Sequence, residues 1–305
     1  MKIYISLNKI RTIFFFCICL ILLGCVSATT KNMAANFGST AKTLTNEIET
    51  NLTKVRISES NLIISNALLD KDLKESNGLE SPAIKPESIE LRLTLLREIT
   101  KYADALLIMS SDEEEIRIDK ASRDLYGALG ALNETIVKQG KTGLGEKDLQ
   151  LVATATDIVG QLFFEWARLN ALKESVNLAN PVITEAVNLL KQEVTDKGSW
   201  SKSLELSLST NAINLYNVAQ HDINDISERR GMLIEARQLN DQSQSVQSTF
   251  LQLNSSLEDL KNSHTALAAA LNDDSDINVT KALENLSKLE QELDHIHAFQ
   301  ASLVK

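Results

Sequence analysis

The chain has 305 residues, a net charge of −10 at pH 7, and only three cysteines and three prolines. Its acidity argues against nucleic acid as a ligand, because a phosphate backbone is bound by basic surfaces. Aromatic residues make up 5% of the chain, and leucine, alanine, serine and charged residues dominate. This composition is typical of helical proteins rather than of β-sandwiches or barrels.

The N-terminus joins a basic start to a short apolar run. Lys2, Lys9 and Arg11 precede eleven uninterrupted apolar residues, from Ile13 to Leu23. A permanent membrane span needs about 18 or more apolar residues. The run therefore predicts a signal peptide rather than a transmembrane helix.

The apolar run ends in Leu22, Leu23, Gly24 and Cys25, which resembles the lipobox of bacterial lipoprotein precursors. The resemblance implies cleavage between Gly24 and Cys25 and attachment of lipid to the Cys25 sulfur. Two or more acyl chains suffice for stable anchoring in a membrane. We therefore expect the mature protein to be held to a membrane by covalent lipid, with Cys25 as the attachment site.

The remaining cysteines and the residue after Cys25 refine this expectation. Cys17 and Cys19 lie within the apolar run and would leave with it, so a disulfide framework is excluded. Val26 stands where an aspartate tends to retain lipoproteins in the inner membrane. By the same resemblance, this indicates the outer membrane, facing the periplasm. A Gram-positive origin, with the protein on the outer face of the plasma membrane, stays open.

The mature chain is expected to be an elongated, all-α bundle. Removal of residues 1–24 takes away three basic residues and no acidic ones, which changes the net charge from −10 to −13. We expect a lipidated tether over 25–33, a helical bundle over 34–230, and a long helical hairpin over 231–305 that packs on the bundle.

Five features mark the helices before this hairpin. A first helix is expected over about 34–70, and Pro86 suits the first position of the next helix. An apolar stripe from Ile118 to Ile136 predicts a third helix. Asn180-Pro181 has the pattern of a helix start, so we expect one helix to end before it and another to begin there. Residues 203–209 alternate like a strand, but no second strand could pair with them, so helix is predicted.

The hairpin carries the clearest periodicity. Apolar residues alternate at spacings of four and three from Met232 to Leu271, and the pattern resumes from Val279 to Leu303 after an Asn/Asp-rich turn. Such spacing predicts two helices packed as an antiparallel, coiled-coil-like hairpin. His264 occupies a core position of the first helix, where a hydrogen-bonded seam residue is favoured over a metal ligand and where its titration could tune packing with pH.

The sequence shows no convincing catalytic or cofactor site. His221 and Asp225 are four residues apart and form a weak candidate for a metal site, with Glu228 as a further ligand; we otherwise expect no metal. The segment 135–142 lacks the first glycine of a phosphate-binding loop, so no nucleotide is expected. No Gly-x-Ser-x-Gly motif occurs, and the covalent lipid is the one expected addition.

These observations favour a membrane-anchored envelope lipoprotein that acts as a helical protein-binding or scaffold module and is not an enzyme. The partner would be another envelope protein, and a basic partner would be steered by the acidic surface. One alternative is a protective lipoprotein that neutralises a toxin or hydrolase. Further alternatives are an enzyme acting on envelope polymers and a surface-exposed helical protein that perturbs membranes.

Overall fold

The computed structural model describes the chain from residue 29 to residue 303, with several gaps. The residues described here are 29–54, 56, 57, 60, 61, 63, 85–111, 115–145, 147–148, 165–194, 199–221, 223–273 and 275–303. Within these ranges the chain forms seven long helices and no strand, which confirms the all-α prediction. The helices are α1 (29–54), α2 (Pro86–Ser110), α3 (Glu115–Lys138), α4 (Glu165–Val194), α5 (Ser199–His221), α6 (Ile226–Asn272) and α7 (Asp276–Leu303).

Helix α1 includes part of the segment predicted to be a tether. Residues 29–33 are helical, and Met33 and Phe37 are buried. The prediction of a tether over 25–33 was therefore wrong for 29–33, because an apolar side chain at Met33 extends the buried face by one turn. Three residues of sequence, 26–28, remain between Cys25 and the described start of the helix.

Helices α1, α2 and α3 pack side by side. Pro86 is the first residue of α2, as predicted, and the apolar stripe of α3 from Ile118 to Ile136 is buried. Salt bridges join α1 to α2 from Lys42–Asp104 to Arg97–Glu49, both with 2.6–2.7 Å between charged atoms, so the two helices are antiparallel.

Helix α4 runs without a break through Pro181, so the predicted helix boundary at Asn180-Pro181 was wrong. Proline in a helix interior removes one hydrogen bond and costs about 3 kcal/mol. Side chains on both sides of it, including Val176 and Ile183, are buried in the common core. Tertiary packing on both sides thus outweighs the local preference for a helix start.

The two helices of the predicted C-terminal hairpin are present. They lie on either side of a short turn and pack against each other, with the Ser263 hydroxyl donating to the Asn285 carbonyl at 2.9 Å. Knobs-into-holes packing between them stays a prediction. Helix α6 begins at Ile226, so the boundary predicted between residues 230 and 231 falls inside a continuous helix.

Helices α4 and α5 lie one after the other along α6. Contacts of α4 with α6 pass from Asn177–Asn272 through Asn180–His264 to Lys191–Glu258. Further towards the start of α6, its neighbour is α5 instead of α4, and the Gln247 side-chain amide of α6 donates to the Glu205 carboxylate of α5 at 3.0 Å.

Among the described helices, α5 packs mainly on α6, with small contacts to α4 and, through Trp200, to α2. We call α5 together with residues 226–250 of α6 the arm. The body consists of α1–α4, residues 251–272 of α6, and α7.

The described start of α1 and the tip of the arm lie at opposite ends of the molecule. Helix α2 contacts the start of α5 through Arg92 and Trp200, and it contacts α6 further on through Tyr102 and His264. Helix α2 is therefore parallel to α6, and α1 runs the other way, towards the arm. The 47 residues of α6 span about 70 Å at about 1.5 Å per residue.

Candidate functional site

The residues proposed from the lipobox, Leu22, Leu23, Gly24 and Cys25, lie outside the described part of the chain. What the structure does describe is the start of α1 close behind them. The four residue steps from Cys25 to Thr29 reach at most about 14 Å when fully extended. A lipid on Cys25 would thus hold this end of the body against the membrane.

The weak metal candidate, His221 and Asp225, divides between two helices. His221 is the last residue of α5, and Asp225 precedes α6. The Asp225 carboxylate accepts hydrogen bonds from the backbone N–H groups of Ser227 and Glu228, each at 2.9 Å. This is helix N-capping, which satisfies two otherwise unpaired donors. Among the described residues, no group of three or more His, Cys, Asp or Glu side chains could hold a metal ion.

The predicted core residue His264 joins four helices. Its ring is completely buried, and Nε2 lies 2.7 Å from the Tyr102 hydroxyl of α2. Nδ1 lies 3.0 Å from Oδ1 of Asn180 in α4, and the Thr265 hydroxyl donates to the same oxygen at 3.1 Å. Phe37 of α1 packs edge-on against the ring, with 5.2 Å between ring centroids.

These contacts define one protonation state of the His264 cluster. Because the Asn180 oxygen can only accept, Nδ1 carries the proton, and Nε2 accepts from the Tyr102 hydroxyl. Burial lowers the pKa of His264 from 6.5 to about 3 and raises the pKa of Tyr102 well above its usual 10. Both groups are neutral and shielded from solvent, so the cluster is a joint between helices and not a site that a substrate could reach.

A groove of about 530 Å³ separates α2 from α3 on the surface of the body. Small residues form part of its floor, including Gly127 and Ala131, and its rim carries three acidic and three basic side chains. The three charges of each sign balance and give the groove no preference for an anion or a cation. The groove therefore offers no chemistry that would define a ligand.

The outward face of α5 is the more informative surface. Leu206, Ile213 and Tyr216 are 63%, 59% and 48% exposed. They belong to a row at spacings of four and three that presents one helix face to solvent. The full row is Lys202, Leu206, Ser209, Ile213, Tyr216 and Gln220.

The same geometry explains the strand-like alternation at 203–209. Leu204 and Leu208, four residues apart, are 9% and 4% exposed and face the inside of the arm, whereas Leu206 between them points outward. Helix α5 therefore has apolar residues on two opposite sides, one buried and one exposed. The 4–3 spacing of the outer row is present in the sequence, but the period-two alternation of the leucines over 203–209 obscures it.

Charge is absent from this face over a long stretch. No Asp, Glu, Lys or Arg occurs in α5 between residues 206 and 220. The neighbouring part of α6, residues 226–250, is charged but net neutral, with three acidic and three basic residues. Interface cores are depleted in charged residues and enriched in aromatic ones such as tyrosine. The outward face of α5 thus has the composition of a protein-binding surface.

No helix within the described ranges is both long enough and apolar enough to cross a membrane. Comparisons of the whole chain with protein-family models, with curated proteins and with solved structures found no match.

Proposed function

We propose that this protein is a lipid-anchored binding module of the bacterial cell envelope. In this proposal, lipid on Cys25 holds the body to a membrane, and the arm binds another protein. The observation that carries the binding role is the uncharged row of exposed apolar side chains on α5, from Leu206 to Tyr216. Covering the apolar surface of such a row with a partner contributes about 25 cal/mol of favourable free energy per Å² removed from water.

The lipid anchor is supported by the N-terminal residues. Lys2, Lys9 and Arg11, the eleven-residue apolar run and the sequence from Leu22 to Cys25 together match a lipoprotein signal. Val26 favours the outer membrane, with the protein facing the periplasm. The function requires no metal, nucleotide or other cofactor beyond the lipid.

The arrangement of the helices suits presentation of the arm to a partner. Because α1 begins at the end of the body opposite the arm, an anchor at Cys25 would direct the arm tip away from the lipid surface. At about 1.5 Å per residue, the length of α6 would place the tip up to about 70 Å from the anchored end. A partner in the envelope could therefore contact the arm without approaching the membrane.

The experiment is site-specific photo-cross-linking in living cells at native expression level. A photoreactive amino acid at Ile213 should capture a defined protein, identified by mass spectrometry, whereas one at Leu283 should not. Leu283 is a matched control because it is an exposed apolar residue of α7 in the body. Cys25→Ser should release the protein from membranes and reduce capture at Ile213. Equal capture at both positions, or none at either, would contradict the proposal.

A further inference from the structure

The outward face of α5 is suited to meet a copy of itself. In a symmetric pair with parallel helices, each side chain near the axis meets the same side chain of the other copy. Any charged residue in the row would then be opposed by a like charge, which is destabilising. From Leu206 to Gln220 the row contains only Leu, Ser, Ile, Tyr and Gln, so these five layers of a self-pair are free of this repulsion. Lys202, at the start of the row, is the one charged residue that would face its own equivalent.

The remainder of the arm also permits self-association. The mature chain as a whole carries a charge of −13, so two copies should repel each other over most of their surfaces. Residues 226–250 of α6 are net neutral, with Glu228, Glu235 and Asp241 balanced by Arg229, Arg230 and Arg237. A basic partner that is attracted by the acidic body would find no acidic residues on the outward face of α5. A second arm, which is equally uncharged over residues 206–220, can contact this face without losing a charge–charge interaction.

The position of the anchor decides the direction of pairing. Two copies held in one membrane by Cys25 would have their arms pointing the same way, because both bodies stand on the same end. Their α5 helices would then be parallel, with the twofold axis along the arms. The layers of the pair would be Leu206, Ser209, Ile213, Tyr216 and Gln220, each against its own equivalent.

We propose that the protein that binds the arm is a second copy of this chain, through a parallel, twofold-symmetric contact between the outward faces of the two α5 helices. The inference rests on the proposed function, since it names the partner of the same surface. The contact would place the helices of the two arms in the order α6, α5, α5, α6, because the outward face of α5 lies opposite the face that packs on α6.

The size of the contact indicates where the pair would form. The uncharged stretch is fifteen residues long and spans about 22 Å, whereas a stable dimer in solution usually buries about 800 Å² per partner. A pair of α5 faces alone is smaller than that. Tethering both copies to one surface raises their effective concentration, so we expect more dimer at the membrane than in dilute solution.

Cysteine cross-linking of the full-length protein in cells tests the inference. The mature chain would have no free thiol beyond the lipidated Cys25, so introduced cysteines report unambiguously. Leu206→Cys and Ile213→Cys should each give disulfide-linked homodimers under mild oxidation, because identical positions face each other within disulfide reach. Leu283→Cys in the body is the control, and we expect at least tenfold less dimer there.

A second variant separates loss of pairing from loss of folding. Ile213→Lys places two like charges in one layer and should abolish the dimer formed through Leu206→Cys, while Ile213→Leu should retain it. Circular dichroism should show unchanged helix content for both, since Ile213 is exposed. Dimer at neither Leu206→Cys nor Ile213→Cys, or at Ile213→Cys alone, would overturn the parallel pair.

The outcomes also separate this inference from the proposed function. If a photoreactive group at Ile213 captures a different protein and no homodimer forms, the arm is a binding surface and the self-pairing is wrong. If nothing is captured at Ile213, both proposals are wrong.

Discussion

The body and the arm share helix α6, but its two halves are packed differently. In the body, residues 251–272 of α6 pack against α4 and α7, and the core is filled by large side chains such as Leu96, Tyr102 and Leu257. In the arm, the other half of α6 has α5 as its main neighbour among the described helices, and the buried seam includes Ser207, Asn211 and Ser243. Less apolar surface therefore stabilises the arm.

The difference between these two interfaces shows that a helix can be long without being equally stabilised along its length. A continuous α6 connects both regions, so the arm is held in place by the body at one end only. Regions with few buried apolar contacts open locally more often than the core of a protein. An arm of this kind is stabilised when its exposed face is covered, which links its stability to binding.

The largest expected effect distinguishes the two seams directly. Leu257→Ala in the body should lower the free energy of unfolding by about 3 kcal/mol, the usual range for a fully buried leucine. Leu208→Ala in the arm should instead increase hydrogen exchange over residues 199–250 and change the unfolding of the body little. Chemical denaturation and hydrogen-exchange mass spectrometry measure the two responses. Equal losses of global stability would show that the arm and body unfold as one unit.

The His264 joint should make the body sensitive to acid. Below pH 6.5 the unfolded chain binds a proton at His264 that the folded chain does not bind until about pH 3. Its contribution is thus complete above pH 6.5 and declines as the pH falls, by at most about 1.4 kcal/mol per pH unit. Denaturation at pH 7, 5.5 and 4.5 should show a steeper loss for wild type than for His264→Gln.

The control for this prediction is His221→Gln, which changes an exposed histidine at the end of α5. It should keep the pH dependence of wild type. If the stability of His264→Gln had the same pH dependence as that of wild type, protonation of His264 would not be the cause of the acid sensitivity. This holds whatever the variant's stability is at pH 7.

A smaller effect tests the close packing of α1 against α2. A Cβ atom at Gly38 would lie 2.5 Å from the Ala103 carbonyl oxygen and 2.8 Å from the Leu107 nitrogen. Gly38→Ala should therefore destabilise the body by about 2 kcal/mol, because backbone must move.

Gly127→Ala in α3 is the matched control, since nothing lies within 4 Å of the added Cβ. It should raise stability by up to about 1 kcal/mol through helix propensity. Thermal unfolding of both variants gives the comparison, and a loss at Gly127 as large as that at Gly38 would rule out the steric explanation.

The smallest effect is expected on the outward face of the arm. Ile213→Ser should change the free energy of unfolding of the monomer by less than about 0.5 kcal/mol, as is usual for exposed positions. The same variant should weaken capture by the arm in the cross-linking experiments. Urea unfolding of dilute protein measures the first quantity, and a loss above about 2 kcal/mol would show that Ile213 is part of the core.

Most of the fold could be predicted because it is local. The 4–3 spacing in α3, α6 and α7 identifies helix faces without reference to any neighbour. Pro86 marks a helix start by its missing N–H, and the structure agrees. The start of α1 and the continuity of α4 could not be predicted, since Met33 and Pro181 are placed by contacts with distant parts of the chain.

The candidate sites divide in the same way. The sequence indicated a core histidine at position 264 but could not identify Tyr102 and Asn180 as its partners, which lie 162 and 84 residues away. It suggested His221 and Asp225, four residues apart, as a weak metal site, whereas α5 ends at His221 and Asp225 caps the start of α6.

The sequence by itself determined an all-α chain with long amphipathic helices, because helical periodicity is a property of neighbouring residues. It also carries the lipobox-like segment from Leu22 to Cys25, whose role as an anchor stays a prediction. Only the tertiary structure decided that α4 and α5 lie one after the other along α6, and that the arm therefore has an uncovered face. Which side of a helix remains exposed depends on how many neighbours it has, and no local pattern contains that number.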